Sequence, residues 1–227
     1  MFEKKNVFII NICLVGLITA LDIMYMLMGG LWLKSITSLV FVVAGVTNLL
    51  FAIKQKTELK FPIILCVALA VAMLGDVIIN IEFMAGAIIF AIGHVFYFVA
   101  YCMLNKFALT DLIYVFALAV PSMLIVLFAP GLDYGGSIMK VICAVYALII
   151  SFMVGKAAAN MVKDRSISKI VIFTGSLLFF ISDLMLLLDV FGSITWAVYI
   201  CLITYYIGQI TIVFGMYLWV KHYSQKV

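Results

Sequence analysis

Residues 61–80, FPIILCVALAVAMLGDVIIN, form one long apolar run broken near its end by a single carboxylate, Asp76. A helix that crosses the hydrocarbon of a bilayer needs about 20 mainly apolar residues, which this run supplies. Comparable runs fall near 7–28, 31–53, 83–104, 109–129, 137–160, 168–189 and 193–219, so the sequence predicts eight helices. Composition points the same way. The chain is 68% hydrophobic and 11% charged, with a mean hydropathy of +1.34. A soluble domain carries about 25% charged residues, so a soluble fold is excluded. The expected architecture is all-α: a polytopic bundle of eight transmembrane helices, with residues 1–227 forming a single integral membrane domain. As a multi-pass protein it is expected in the cell membrane.

Orientation follows from the lysines and arginine. Lys4, Lys5, Lys54, Lys56, Lys60, Lys106, Lys156, Lys163, Arg165, Lys169, Lys221 and Lys226 fall on one side of the predicted spans, twelve of the fourteen basic residues. Only Lys34 and Lys140 fall on the other. Basic residues concentrate on the cytoplasmic side of membrane proteins, so both termini are expected there, as an even helix count also requires. The net charge of +4 then reflects topology, and the partner it implies is the lipid bilayer, with no need of nucleic acid. The first run follows Lys4 and Lys5 but has no small-x-small cleavage site, and reads as a retained helix rather than a signal peptide. The five cysteines are scattered through the spans without CxxC spacing, which implies no disulfide framework. Loops are short, and Pro62, Pro121 and Pro130 read as lying near helix ends, where proline is tolerated. Nothing in the sequence fixes an oligomeric state.

A second carboxylate, Asp183, repeats the context of the first, in residues 180–184, FISDL. An ionisable residue at membrane depth is costly and marks a functional site by default. Both aspartates lie about 15 residues into their runs, so at ~1.5 Å per residue each sits roughly 22 Å from the cytoplasmic start. Matched depth allows the two to face one another. Two carboxylates in a low dielectric cannot comfortably both ionise, which splits them into an acid and a base. The competing reading is that each aspartate only joins helices or neutralises a cation.

Other polar groups converge on this depth. His94 can exchange protons with an aspartate or serve as a packing residue. Tyr205, Tyr206 and Gln209 present phenols and an amide, with Tyr205 and Gln209 sharing a face; interhelical hydrogen bonding is their alternative role. Lys34, at the outer end of the second run, can bind a phosphate or pair with Asp76 or Asp183. Asp22, Glu82, Asp133 and Asp189 lie near the outer loops and read as solvated. A zinc hydrolase needs about three His, Cys or carboxylate ligands, whereas the spans hold one histidine, so no metal and no cofactor is expected. No GxSxG elbow, P-loop or dinucleotide fingerprint occurs.

Residues 74–77 (LGDV), Phe83, 93–97 (GHVFY), 175–183 (GSLLFFISD) and 204–209 (TYYIGQ) together resemble the YhhN-like lysoplasmalogenase family of integral membrane hydrolases. Leu33-Lys34-Ser35 resembles that family's Lys-Pro-Leu element, with Ser35 where proline is common. The resemblance extends over nearly the whole chain. It implies an eight-helix ether hydrolase that cleaves the vinyl ether bond of a lysophospholipid substrate, a lysoplasmalogen. The products would be a fatty aldehyde and glycerophosphoethanolamine or glycerophosphocholine. It also implies that Asp76 and Asp183 are catalytic, with Lys34, His94, Tyr97, Ser182, Tyr205, Tyr206 and Gln209 binding substrate or supporting them. The rival reading is a small proton- or ion-coupled transporter, because buried carboxylates with a histidine also build proton relays.

Overall fold

Helices account for nearly all of the computed structural model, which describes residues 4–224; Lys226 lies outside the described residues. The elements are α1 (Lys4–Met28), α2 (Leu31–Lys54), α3 (Lys60–Ile78), α4 (Phe83–Leu104), α5 (Leu112–Phe128), α6 (Ser137–Lys163), α7 (Ile167–Val190) and α8 (Ala197–Tyr223). A 3₁₀ turn, Leu109–Asp111, leads into α5. Among the described residues there is no strand, and eight helical segments are long and apolar enough to cross a membrane. The protein is therefore an all-α, multi-pass membrane protein. Helices are the economical answer to such composition, since in hydrocarbon every backbone polar group must be satisfied within the segment.

Local chemistry sets several helix ends. Gly29 and Gly30 both take positive φ, which lets the chain reverse between α1 and α2. Glu82 caps α4 by accepting from the Met84 and Ala85 amides. The last helix begins at Ala197 rather than at 193, because Gly192 and Ser193 open a turn in which Ser193 takes a φ of 54°. Pro121 lies inside α5 rather than near a helix end. It has no N–H to return to the Ala117 carbonyl, and α5 absorbs the loss at the periphery of the bundle.

Helices α1, α2, α3, α4, α6, α7 and α8 form a closed ring, in which α8 packs on α7, α2 and α1, while α5 sits outside against α6. The α7–α8 pair is the closest. A Cβ on Gly175 would lie 2.7 Å from the Gly208 carbonyl oxygen, and one on Gly208 would lie 2.9 Å from that of Gly175. Small residues permit such backbone approach between membrane helices. The interior is filled by Phe41, Tyr97, Tyr101, Phe179 and Tyr206, all fully buried. Leu27, Trp32, Ile113 and Phe128 turn outward.

Charge is distributed less simply than the sequence implied. Lys156 belongs to the basic end of the bundle, yet it is fully buried and pairs with Asp111 Oδ2 at 2.8 Å. It also donates to the Lys106 carbonyl at 3.1 Å, and Lys163 engages the other oxygen of Asp111. This cluster ties α6 to the turn before α5. At the opposite end, Glu82 and Asp133 are exposed and Asp189 is half-buried. Asp22, expected to be solvated, is 4% exposed, because its face of α1 is covered by α8.

Candidate functional site

The ring closes around two polar clusters, one at each aspartate. Asp76 stands near the C-terminal end of α3 and is 2% exposed. Its Oδ2 accepts from Ser38 Oγ at 2.5 Å and from Tyr205 Oη at 2.8 Å. Lys34 Nζ lies 3.8 Å from Oδ1. Ser38 is one helical turn beyond Lys34, so α2 delivers both groups to the same carboxylate. Tyr206 Oη completes the cluster at 3.3 Å from Ser38 Oγ and 3.5 Å from the Lys34 carbonyl.

Asp183 sits on α7, with its side chain 12% exposed. Tyr146 Oη of α6 donates to its Oδ2 at 2.8 Å. The same oxygen lies 3.1 Å from His94 Nε2 of α4, and that nitrogen lies 2.8 Å from Tyr146 Oη. The three side chains form a triangle drawn from three helices. The other ring nitrogen, Nδ1, faces Met153 Sδ at 3.3 Å. Among the described residues Asp183 Oδ1 makes no hydrogen bond.

The two carboxylates do not bond to each other. Each has its own partners, although they are near enough for their charges to interact. Phe179 and Tyr205 stand between the clusters: Phe179 lies 4.7 Å from the His94 ring and 5.1 Å from Tyr205, centroid to centroid. Phe90 closes the wall at 6.0 Å from Tyr205. Gly75 makes room for it, since a Cβ there would lie 2.8 Å from the Phe90 ring.

An apolar cleft of about 720 Å³, its open mouth included, runs between α4, α5, α6 and α7. Asp183 and Tyr146 are on its wall, among Phe83, Phe90, Val126 and Leu187. A mostly apolar cleft with a few convergent polar groups suits a small-molecule site. It lies towards the ends of these helices on the side of the bundle opposite the described N-terminus.

The remaining residues singled out in the sequence divide. Tyr97 donates to Gln209 Oε1 at 2.5 Å, and Gln209 Nε2 has no partner among the described residues. This pair lies deeper in the bundle and joins α4 to α8. Ser182 turns away from its neighbour Asp183 and contacts Cys201 Sγ at 3.5 Å, a contact within the α7–α8 pair. Sequence reasoning missed Ser38 and Tyr146. Ser38 had a signal, its spacing of four from Lys34; Tyr146 had none, standing alone in an apolar run. Among the described residues no three His, Cys, Asp or Glu side chains come together as a metal site would require.

No curated protein and no solved structure matches the chain. The sequence model of the YhhN family does match, over residues 31–216, a span that contains both carboxylate clusters, and the chain belongs to that family.

Proposed function

We propose that this protein is a lysoplasmalogenase-like hydrolase, which cleaves the vinyl ether bond of lysoplasmalogens by aspartate acid–base catalysis. The observation that carries the reading is a carboxylate, Asp183, on the wall of an apolar cleft and within electrostatic reach of a second buried carboxylate, Asp76. Membership of the YhhN family, which contains lysoplasmalogenases, supports it. A single-chain amphiphile would lay its tail in the cleft and keep its headgroup towards the outer ends of the helices.

Vinyl ethers resist base but open when the double bond is protonated. The proton goes to the alkenyl carbon distant from oxygen, leaving an oxocarbenium ion, and water adds to give a hemiacetal. Collapse of the hemiacetal releases the aldehyde and returns a hydroxyl to glycerol. Asp183 suits the proton donor, because Oδ2 is engaged by His94 and Tyr146 while Oδ1 is free. Asp76 suits the anion that stabilises the cation and orients water, because an ammonium and two hydroxyl donors hold it in place. Paired carboxylates divide the work in this way in glycosidases. The rings of Phe90, Phe179 and Tyr205 between them offer π-faces to the developing cation.

The test is aldehyde release from lysoplasmenylethanolamine by the purified protein in detergent, beside Asp76→Asn and Asp183→Asn. Wild type is expected to be active. Each variant is expected to lose at least about a hundredfold in rate, the usual worth of a general acid or base. A wild type inactive on this substrate and on a panel of lysolipids would defeat the reading, and ion flux in liposomes would become the next measurement.

A further inference from the structure

Asp22 has no place in that chemistry, yet among the described residues it is the one carboxylate with a buried oxygen that meets no donor. It is 4% exposed, and its Oδ1 is buried with no hydrogen-bond partner among the described residues. It lines a second pocket of about 490 Å³, its open mouth included, between α1 and α8, together with Ile18, Thr19, Met26, Ile203 and Tyr206. A carboxylate in such surroundings is costly unless a cation or a set of donors meets it. The basic side chain at this end of α2, Lys34, is already turned to Asp76. The groups facing Asp22 from α1 and α8 thus leave it uncompensated.

One side chain links the wall of this pocket to the Asp76 cluster. Tyr206 forms part of the wall around Asp22, while its hydroxyl lies 3.3 Å from Ser38 Oγ and 3.5 Å from the Lys34 carbonyl. Tyr25 and Tyr206 are each within electrostatic reach of both Asp22 and Asp76. A cation and an unpaired carboxylate therefore flank Tyr206 at the outer end of the bundle. Their signs match a zwitterionic headgroup: phosphate to Lys34, ammonium to Asp22. In a phosphoethanolamine only two carbons separate the phosphate oxygen from nitrogen.

We infer that the Asp22 cavity is a subsite for a primary ammonium group, the headgroup amine of an ethanolamine lysophospholipid. The inference rests on the lysophospholipid reading above, and it makes Asp22 a determinant of headgroup preference. Asp22 lies outside the stretch that the family model matches. A primary ammonium presents three N–H donors to the carboxylate and the Tyr206 hydroxyl, whereas a quaternary choline presents none.

The experiment measures binding, so that it does not depend on turnover. The full chain in detergent is titrated calorimetrically with an uncleavable saturated ether lipid, 1-alkyl-glycerophosphoethanolamine, and with its N-acetyl derivative, which keeps the phosphate and lacks the cation. Wild type is expected to bind the ammonium lipid about tenfold more tightly, the scale of one charge-assisted contact. Asp22→Asn is expected to remove that difference by weakening the ammonium lipid alone, and Asp22→Glu to restore part of it. Equal affinities in wild type, or an Asp22→Asn that weakens both lipids alike, would overturn the inference. So would a wild type that binds neither lipid. If Asp22→Asn does not fold, the wild-type comparison still decides. Should the protein discriminate the two lipids through Asp22 yet release no aldehyde from a lysoplasmalogen, the hydrolase reading falls and the subsite stands.

Discussion

Tyr146 and Ser38 hold the two aspartates by short hydroxyl hydrogen bonds, and each can be removed with little change of shape. Tyr146→Phe keeps the edge-on ring contact with His94, whose centroid is 5.2 Å away, and deletes the donor to Asp183. As Asp183 gives up its proton this becomes a hydrogen bond to a charged group, worth ~1.5–3 kcal/mol. On the proposed mechanism Tyr146→Phe therefore lowers kcat about ten- to a hundredfold with little effect on KM, measured by aldehyde release. Lys34→Met removes the cation opposite Asp76 but retains the aliphatic stem. It is expected to raise KM as well as lower kcat, because Lys34 serves both the anion and the substrate phosphate; an unchanged KM would separate those roles. Ser182→Ala, by contrast, is expected to leave the rate within about twofold, because Ser182 faces Cys201 rather than the cleft.

At the level of helices, the site depends on how closely α7 approaches α8, since one carries Asp183 and the other Tyr205. Gly175→Ala would set a methyl 2.7 Å from a backbone oxygen, and overpacking of this kind costs about 1–3 kcal/mol. Gly16→Ala, with nothing within 4 Å of its Cβ, is expected to be neutral or slightly stabilising. Thermal unfolding in detergent should show a clear drop for the first and none for the second. The ion cluster at the other end of the bundle makes a similar contrast. Asp111→Ala strands the fully buried Lys156, a loss of about 3–5 kcal/mol when a buried pair is broken from one side, whereas Lys163→Ala leaves the Asp111–Lys156 pair intact. The melting temperature should fall far more for Asp111→Ala.

For the molecule as a whole, eight helices put the start of α1 and the end of α8 on the same face, and the lysines concentrate there. We expect that face to be cytoplasmic, so the cleft and the Asp22 cavity open towards the outer leaflet. Accessibility tags check this: one at the C-terminus should be protected in intact cells, while one in the 129–136 loop should be labelled. The reverse pattern would move the headgroup site to the cytoplasmic leaflet.

The sequence by itself determined the helix count and the family, because hydrocarbon imposes one length and one composition on every crossing segment and these are local properties. It also singled out Asp76, Asp183, His94 and Lys34, since charge at membrane depth is conspicuous along a linear chain. Only tertiary structure decided which groups meet. The sequence treated the aspartates as a facing pair, whereas the ring places α3 and α7 apart and gives each carboxylate its own donors, with Phe179 and Tyr205 between. Tyr146 gave no sequence signal because a tyrosine in an apolar run is ordinary until another helix brings a carboxylate to it. Asp22 and Pro121 were misread for related reasons. Distance from a helix end along the chain does not measure burial, so α8 can cover Asp22 six residues before the end of α1, while α5 runs on for seven residues past Pro121.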